Sequence, residues 1–266
     1  MASPLALWRQ FLARPNTDRT KTLGIAFLVA LVCGLAVSIT AVTLRPFITA
    51  NIDAERQAQM ASMLADLPGI GEILAEAGEG AVEILLVDLG TGQLATDIDA
   101  ASYDPIAAAS DPETSTELSR AEDFAGLGRR ENVAPVYLVR RDGEIVLLVL
   151  PVRGSGYQSL IKAYLALEGD LNTVAALTVY EQGETPGLGG RIVEPDWQAG
   201  WSGKQVASEG EVVIEVVRGD STGPNEVAGI SGASVTGYAM TDMVQFWLGP
   251  LGYGPFLDRL RAGEAP

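Results

Sequence analysis

Hydroxyl and small side chains are concentrated in the segment ISGASVTG, residues 230–237. Three hydroxyl residues stand before or at the start of a predicted helix: Ser231, Ser234 and Thr236. The helix is expected to bury an apolar stripe formed by Val235, Ala239, Met243, Phe246 and Trp247. Ser231 or Ser234 could cap this helix by accepting hydrogen bonds from its backbone N–H groups. The same N–H groups attract phosphate, for which Gly232 and Ala233 leave space. The segment therefore predicts a helix cap or a phosphate site, with the phosphate free or bonded to a hydroxyl.

A second segment with possible binding chemistry is EQGETPGLGGR, residues 181–191, which carries four glycines and one proline after a predicted strand. Glycine allows the backbone to approach a ligand closely. The spacing matches neither a Walker A loop nor a dinucleotide fingerprint. From the residues alone, this segment is either a plain turn or a ligand-binding loop.

Composition excludes several kinds of site. The 266 residues include no His and a single Cys, Cys33, which lies in an apolar run. A His-based triad and a His-ligated zinc are therefore impossible, and no intramolecular disulfide can form. The 18 basic residues against 34 acidic ones give a formal charge of −16, which argues against nucleic-acid partners. No catalytic side chain and no metal ligand is predicted.

Residues 22–44 form an uncharged apolar run that is long enough to cross a bilayer as one helix. Basic residues cluster before this run, at Arg9, Arg14, Arg19 and Lys21. This asymmetry predicts that residues 1–21 stay in the cytoplasm and that the rest of the chain is exported. The apolar core is too long for a cleaved signal peptide, so we expect a retained anchor in a bacterial inner membrane, with the main domain in the periplasm.

The exported part is predicted to be one α+β domain in which an antiparallel sheet is flanked by helices. Residues 45–130 are interpreted as a lead-in. It contains a helix within 51–70 that is ended by Pro68 and Gly69, a strand, turn and second strand start over 81–95, and an irregular loop with about one helical turn over 97–126. Residues 131–266 form the main domain.

Turn signals place two hairpins in the main domain. Asp142–Gly143 lies between two β-rich runs and predicts the first. The second is expected to turn at Gly169–Asp170 or at Leu171–Asn172. A further strand is predicted over residues 211–219, and a short helix within 195–203, where Pro195 stands at the start and a glycine follows.

The segment ISGASVT resembles the flavinylation motif of FMN-binding domains, in which the FMN phosphate is esterified to a Thr or Ser. ETPGLGGRIVEPDWQAGWSGK resembles the companion segment of that domain. Together with the anchor, LPVRGSGYQSLIKAYLALEGDLNTV and the closing FWLGPLGYGPFLDRLR, these motifs resemble the C-subunit family of the Na+-translocating NADH:quinone oxidoreductases. The resemblance covers residues from about 20 to 261.

This resemblance implies roles for particular residues. The hydroxyl directly after Gly-Ala accepts the FMN phosphate, and it is Ser234 here, where the family usually has Thr; Thr236 is the second candidate. The loop residues implied to lie beside the flavin are Glu184, Thr185, Gly187, Leu188 and Gly189. A glycine turn implied to support it contains Arg153, Gly154 and Gly156. The family's Asp before the motif is replaced by Ala228, and the nearest acid is Glu226.

The activity implied is electron carriage by covalent FMN between neighbouring subunits of a Na+-pumping NADH:ubiquinone reductase. The implied partners are the other membrane subunits and a flavin transferase. Two alternatives stay open: the G subunit of the related ferredoxin:NAD+ oxidoreductase complex, and a cofactor-free periplasmic scaffold module.

Overall fold

The computed structural model describes residues 10, 13, 15, 18–40, 43, 82–100, 103–141 and 143–264. The predicted helix over 51–70 and the turn residue Asp142 lie outside these ranges. Helix α1 covers Arg19–Thr40, and its most apolar 18-residue window has a mean hydropathy of 2.5 and no buried residue. Among the described residues, it is the one helix long and apolar enough to cross a membrane, and it carries the exposed Cys33.

The chain divides into two compact units, residues 1–58 and 59–266. An antiparallel sheet of five strands forms the centre of the second unit, in the order β1-β4-β5-β6-β7. Its strands are β1 (Val82–Asp88), β4 (Val133–Arg141), β5 (Glu144–Ser155), β6 (Leu160–Glu168) and β7 (Val174–Glu181). Both predicted hairpins are confirmed, since β4 pairs with β5 across Gly143 and β6 pairs with β7. The second hairpin turns over residues 169–173, which include both predicted turn pairs. The predicted α+β class is confirmed.

Both faces of this sheet carry buried apolar side chains, so β6 is buried along nearly its whole length. The larger core lies between one face and the C-terminal helices, α4 (Ser234–Leu248) and α5 (Gly254–Arg261). Trp247 and Tyr253 are among its largest fully buried side chains. A smaller cluster on the other face is formed by Val139, Leu147, Val149, Tyr164, Ala166 and Ala175.

The region predicted as an irregular loop contains more regular structure than expected. Helix α2 (Pro105–Ser110) begins with Pro105, and Asp104 caps it by accepting from the N–H groups of Ile106 and Ala107. Strand β2 (Ser115–Glu117) then pairs with β3 (Arg129–Glu131). The Asp-Pro signal for this helix was present in the sequence, whereas the pairing of β2 depends on a partner twelve or more residues away.

The predicted strand over residues 211–219 is wrong as a single element. Residues Glu211–Val212 (β9) pair with Ala207–Ser208 (β8), whereas Glu215–Val217 (β10) pairs in parallel with Glu226–Ala228 (β11). The change of partner interrupts the strand at the fully buried Ile214. The predicted short helix is confirmed as α3 (Pro195–Ala199), which follows a 3-10 helix over Gly189–Val193.

Candidate functional site

The motif 230–237 lies at the N-terminus of α4, which begins at Ser234. The N-cap position is Ala233, and no side chain caps the helix. Neither Ser231 nor Ser234 therefore forms the predicted cap. The first turn leaves the backbone N–H groups of residues 234–236 without acceptors inside the helix. Ser231 and Ser234 are both exposed, and within the described residues the Ser234 hydroxyl has no hydrogen-bond partner.

Thr236 lies on the opposite, buried side of the first turn and is 2% exposed. Its hydroxyl donates to Glu184 Oε2 at 2.7 Å. The buried face of α4 also includes Gly237 and Met240, whereas Val235, predicted to lie in the apolar stripe, is 54% exposed. The buried stripe is therefore displaced by about one position from the predicted one at its N-terminal end.

Glu184 is a buried carboxylate that joins three segments. It is 4% exposed. Its Oε1 accepts from the N–H groups of Gln158 at 2.8 Å and Ser159 at 3.2 Å, in the β5–β6 turn, while its Oε2 accepts from Thr236. Burial opposes ionisation, but the hydrogen bonds from Gln158, Thr236 and Ser159 outweigh it, so the pKa of Glu184 lies below its usual value. The ionised carboxylate thus fixes α4 against the loop that follows β7.

Gly189 makes this contact possible. A Cβ at this position would lie 2.5 Å from Thr236 Oγ1 and 2.8 Å from Glu184 Oε2. Any side chain would therefore separate the two hydrogen-bonded groups. Gly189 is therefore required for packing inside the protein, and at least this glycine of the segment 181–191 is not explained by ligand binding.

The exposed part of the same loop lies against the motif. Thr185, Gly187 and Leu188 are exposed, and a methyl group of Leu188 lies 3.2 Å from the position that a Cβ on Gly232 would take. Gly232 has φ +80°, a conformation that favours glycine, so a side chain here would be strained as well as close to Leu188. The exposed predicted residues of the two segments therefore adjoin each other through Leu188 and Gly232, whereas Glu184, Gly189 and Thr236 are buried beneath them.

Arg218 and Tyr238 adjoin this surface and were not among the predicted site residues. Arg218 Nε donates to Tyr238 Oη at 2.6 Å, and the guanidinium carbon lies 5.6 Å from the centre of the tyrosine ring. Tyr238 stands one helical turn after Ser234, a spacing that the predicted helix already implied. Arg218 is brought there by the β10–β11 pairing, which had no signal in the sequence.

Two sequence expectations concern residues that the structure places away from the exposed surface. Arg153 is buried in β5, paired with Glu131 through both terminal guanidinium nitrogens and packed over Trp247, with 5.1 Å between the guanidinium carbon and the ring centre. Gly154 lies in the same strand, and only Gly156 belongs to the turn around Glu184.

The family's Asp before the motif is absent here, and the nearest carboxylate, Glu226, does not replace it. Ala228, at the position of the family's Asp, accepts from Trp197 Nε1 at 2.9 Å through its carbonyl oxygen. The carboxylate of Glu226 is occupied by the N–H groups of Thr222 and Gly223 and by the Thr222 hydroxyl. These bonds lower the pKa of Glu226.

The arrangement around Ser234 fits the phosphate end of a flavin nucleotide. It offers free N–H groups at the positive end of a helix of 15 residues, an exposed hydroxyl, and apolar side chains such as Leu188 and Val235 beside it. It is an open surface. A groove of about 650 Å³ lies instead at the other end of α4, near Leu248 and Leu257, and contains none of the predicted site residues.

Comparison with known proteins gives an FMN-binding domain over residues 156–249. Over 259 residues the chain is 39% identical to the C subunit of the Na(+)-translocating NADH-quinone reductase of Vibrio parahaemolyticus, covering 95% of this chain and 99% of that protein. It is 38% identical to the protein of the same name from Pseudomonas aeruginosa, covering 92% of this chain and 97% of that one.

A solved structure has a similar fold. The crystal structure of Shewanella oneidensis NqrC matches with a TM-score of 0.70 and 32% identity, covering 79% of this chain and 99% of that chain.

Proposed function

The chain belongs to the NqrC family, the C subunits of the Na+-translocating NADH-quinone reductases, and we propose that it is a membrane-anchored electron carrier with FMN esterified to Ser234. The observation that carries the assignment of Ser234 is the contrast between the two candidate hydroxyls. Ser234 is exposed beside free helix N–H groups, whereas Thr236 is buried and donates to Glu184. An acceptor must be reached by a transferase, so Ser234 is the acceptor and Thr236 positions the helix.

The N-terminus of α4 binds the phosphate in this proposal. The N–H groups of residues 234–236 donate to phosphate oxygens, and the helix dipole favours the negative charge. Ser231, Gly232 and Ala233 lead into this turn, and the exposed Leu188 would contact the cofactor when it is bound. Glu184 and Gly189 do not contact the cofactor in this proposal. They stabilise the site from the buried side, because they fix the loop against the helix.

Attachment requires an activated donor. Ser234 Oγ loses its proton and forms the new O–P bond, while a phosphoanhydride O–P bond of a flavin dinucleotide breaks and a nucleoside monophosphate leaves. No described carboxylate hydrogen-bonds to Ser234, and the chain has no His, so the proton acceptor belongs to the flavin transferase. Bound FMN supplies one-electron chemistry, and this chain holds and orients it.

The anchor sets where this takes place. α1 spans the inner membrane with the basic N-terminus in the cytoplasm, which leaves the flavin domain in the periplasm. The partners of this chain are the other membrane subunits, which pass electrons to its flavin and receive electrons from it. The near-complete coverage of the NqrC relatives favours this function over the G subunit of the ferredoxin:NAD+ oxidoreductase complex. A cofactor-free scaffold is the remaining alternative, which the following experiment tests.

The test is co-expression of the full chain with a flavin transferase, followed by in-gel fluorescence after denaturation and peptide mass spectrometry. The wild type is expected to give a fluorescent band with the added mass on Ser234. Ser234→Ala removes the hydroxyl and is expected to abolish both signals. Ser202→Ala is the matched control, because Ser202 is exposed in the turn after α3 and away from the motif.

Thr236→Val separates the two hydroxyls. It is expected to keep the modification on Ser234, at some cost in stability, since the bond to Glu184 is lost. Modification of Thr236 in the Ser234→Ala variant would contradict the assignment of the acceptor. A dark wild type would favour the scaffold module and remove covalent FMN from the proposal.

A further inference from the structure

Arg218 is a cation beside the proposed flavin site. Its hydrogen-bond partner, the hydroxyl of Tyr238, is uncharged. Several other cations of the domain are neutralised in ion pairs, among them Lys162 with Glu181, Arg153 with Glu131 and Arg191 with Glu194. In the part of the chain that the structure describes, Arg218 forms no ion pair and bonds to the hydroxyl of Tyr238. In a chain of formal charge −16, an exposed cation that is fixed in place but not neutralised is available to an anion.

The backbone of Arg218 is fixed beside the start of the motif. Val217 pairs with Ala228 in the parallel ladder, and the Gly229 N–H donates to Gly219 O at 2.9 Å. Residue 218 therefore lies next to residues 228 and 229, directly before the motif at 230–237. A Cβ on Gly229 would lie 2.3 Å from Val217 O, so the two segments are in close contact.

The side chain of Arg218 is held at the hydroxyl of Tyr238, one helical turn after Ser234. Ser234 and Tyr238 are four residues apart, so they are neighbours on the exposed face of the helix. Helical side chains lean toward the N-terminus, which places the Tyr238 ring over the turn that contains Ser234. Arg218 uses its Nε for the tyrosine hydroxyl, and among the described residues the N–H groups of its two terminal nitrogens have no acceptor.

We propose that Arg218, oriented by Tyr238, neutralises the phosphate of the flavin attached to Ser234. This inference rests on the proposed function and adds a residue to it. A phosphodiester carries one negative charge, and the planar guanidinium matches two of its oxygens better than an ammonium does. Arg218 thus supplements the helix N–H groups from the side, and it binds the same phosphate while it is being transferred.

The experiment compares full-length wild type with Arg218→Gln, Arg218→Lys and Tyr238→Phe. The initial rate of flavin attachment is measured at limiting transferase by in-gel fluorescence. The environment of the phosphate is then read by 31P NMR on purified flavinylated protein. Arg140→Gln is the charge-matched control, because Arg140 is on β4 and pairs with Glu83. Thermal unfolding of each variant reports whether the fold is retained.

Arg218→Gln is expected to lower the attachment rate about tenfold, the size of one charge-assisted hydrogen bond, and to move the 31P resonance. Arg218→Lys should retain part of the rate. Tyr238→Phe should lower it about threefold, because only the orienting bond is lost. Arg140→Gln should leave both signals as in the wild type.

An unchanged 31P resonance in Arg218→Gln would overturn the inference, even if the rate fell, since the arginine would then serve the docking of the transferase. A wild type without covalent flavin would overturn this inference together with the proposed function. A flavinylated wild type with unaltered Arg218→Gln would overturn this inference alone.

Discussion

Replacing Glu184 by Gln keeps the shape of a buried side chain and removes its charge. In the wild type, this carboxylate accepts from Gln158 N–H, Ser159 N–H and the Thr236 hydroxyl. Gln can still accept with one oxygen, but its NH2 group must face either the backbone donors or Thr236. At least one donor then loses its acceptor or has to reverse its hydrogen bond.

The expected loss of unfolding free energy follows from the number of hydrogen bonds that Glu184 accepts. A hydrogen bond to a charged acceptor contributes about 1 kcal/mol more than a neutral one, so three bonds give an upper limit of about 3 kcal/mol. The neutral amide costs less to bury than the carboxylate, which offsets this loss by about 1 kcal/mol. We therefore expect Glu184→Gln to lower the free energy of unfolding by about 2 kcal/mol, or the melting temperature by roughly 6 °C for a domain of this size.

The same variant gives a pH test. The folded-state pKa of Glu184 lies below its usual value of 4.5, so the carboxylate stabilises the fold fully above about pH 4.5. This contribution is lost as the pH falls through the lower folded-state pKa. The difference in unfolding free energy between wild type and Glu184→Gln should thus be complete at pH 7 and decrease below about pH 4.5.

The assay is urea unfolding of the full chain in detergent, followed by the fluorescence of the buried Trp201 and Trp247. Glu194→Gln is the control, because Glu194 is a half-exposed acid paired with Arg191, with an expected effect below about 1 kcal/mol. A difference at pH 7 below about 0.5 kcal/mol, the size of an ordinary surface substitution, would refute the reasoning. A difference that stays constant from neutral to acid pH would refute it as well.

Two further substitutions test neighbouring parts of the fold. Gly189→Ala places a Cβ between Thr236 and Glu184, so unfolding free energy should fall by about 1–3 kcal/mol and flavin attachment should decrease, as measured by urea unfolding and in-gel fluorescence. A stable, fully flavinylated variant would contradict the packing role. Glu131→Gln leaves the buried Arg153 without its counter-ion and should cost about 3–5 kcal/mol in urea unfolding, whereas Glu117→Gln in the exposed pair with Arg129 should cost less than about 1 kcal/mol. Equal losses in these two variants would contradict the importance of burial.

Local signals in the sequence were sufficient for much of the fold. Gly143 and the loop at 169–173 lie between β-rich runs, and both hairpins form there, because a turn and its two strands are adjacent in the chain. α3 begins at Pro195 and ends before a glycine for the same reason. The split of residues 211–217 was not predictable in this way. Its first half pairs with β8 and its second half with β11, and no local pattern specifies that change of partner.

For the motif at 230–237, the sequence identified the candidate residues and the tertiary structure distinguished their roles. The sequence alone, through its resemblance to a family, nominated Ser234, Thr236 and the loop around Leu188. The motif ranked Ser234 before Thr236, but the sequence could not show which of the two hydroxyls is exposed, because that depends on which side of the helix packs against the rest of the domain. The tertiary structure fixes that start at Ser234 and buries Thr236 against Glu184.

The sequence by itself thus determined the apolar segment that forms α1, the α+β class, the hairpins and the family, since these depend on composition, periodicity and motifs along the chain. Only the tertiary structure decided which hydroxyl is exposed, why Gly189 must be small, and that Arg218 bonds to Tyr238, one helical turn after Ser234. Each of these depends on contacts between residues distant in the chain, such as the 52 positions between Glu184 and Thr236. Side-chain burial and close approach exist only after the sheet and α4 have packed together.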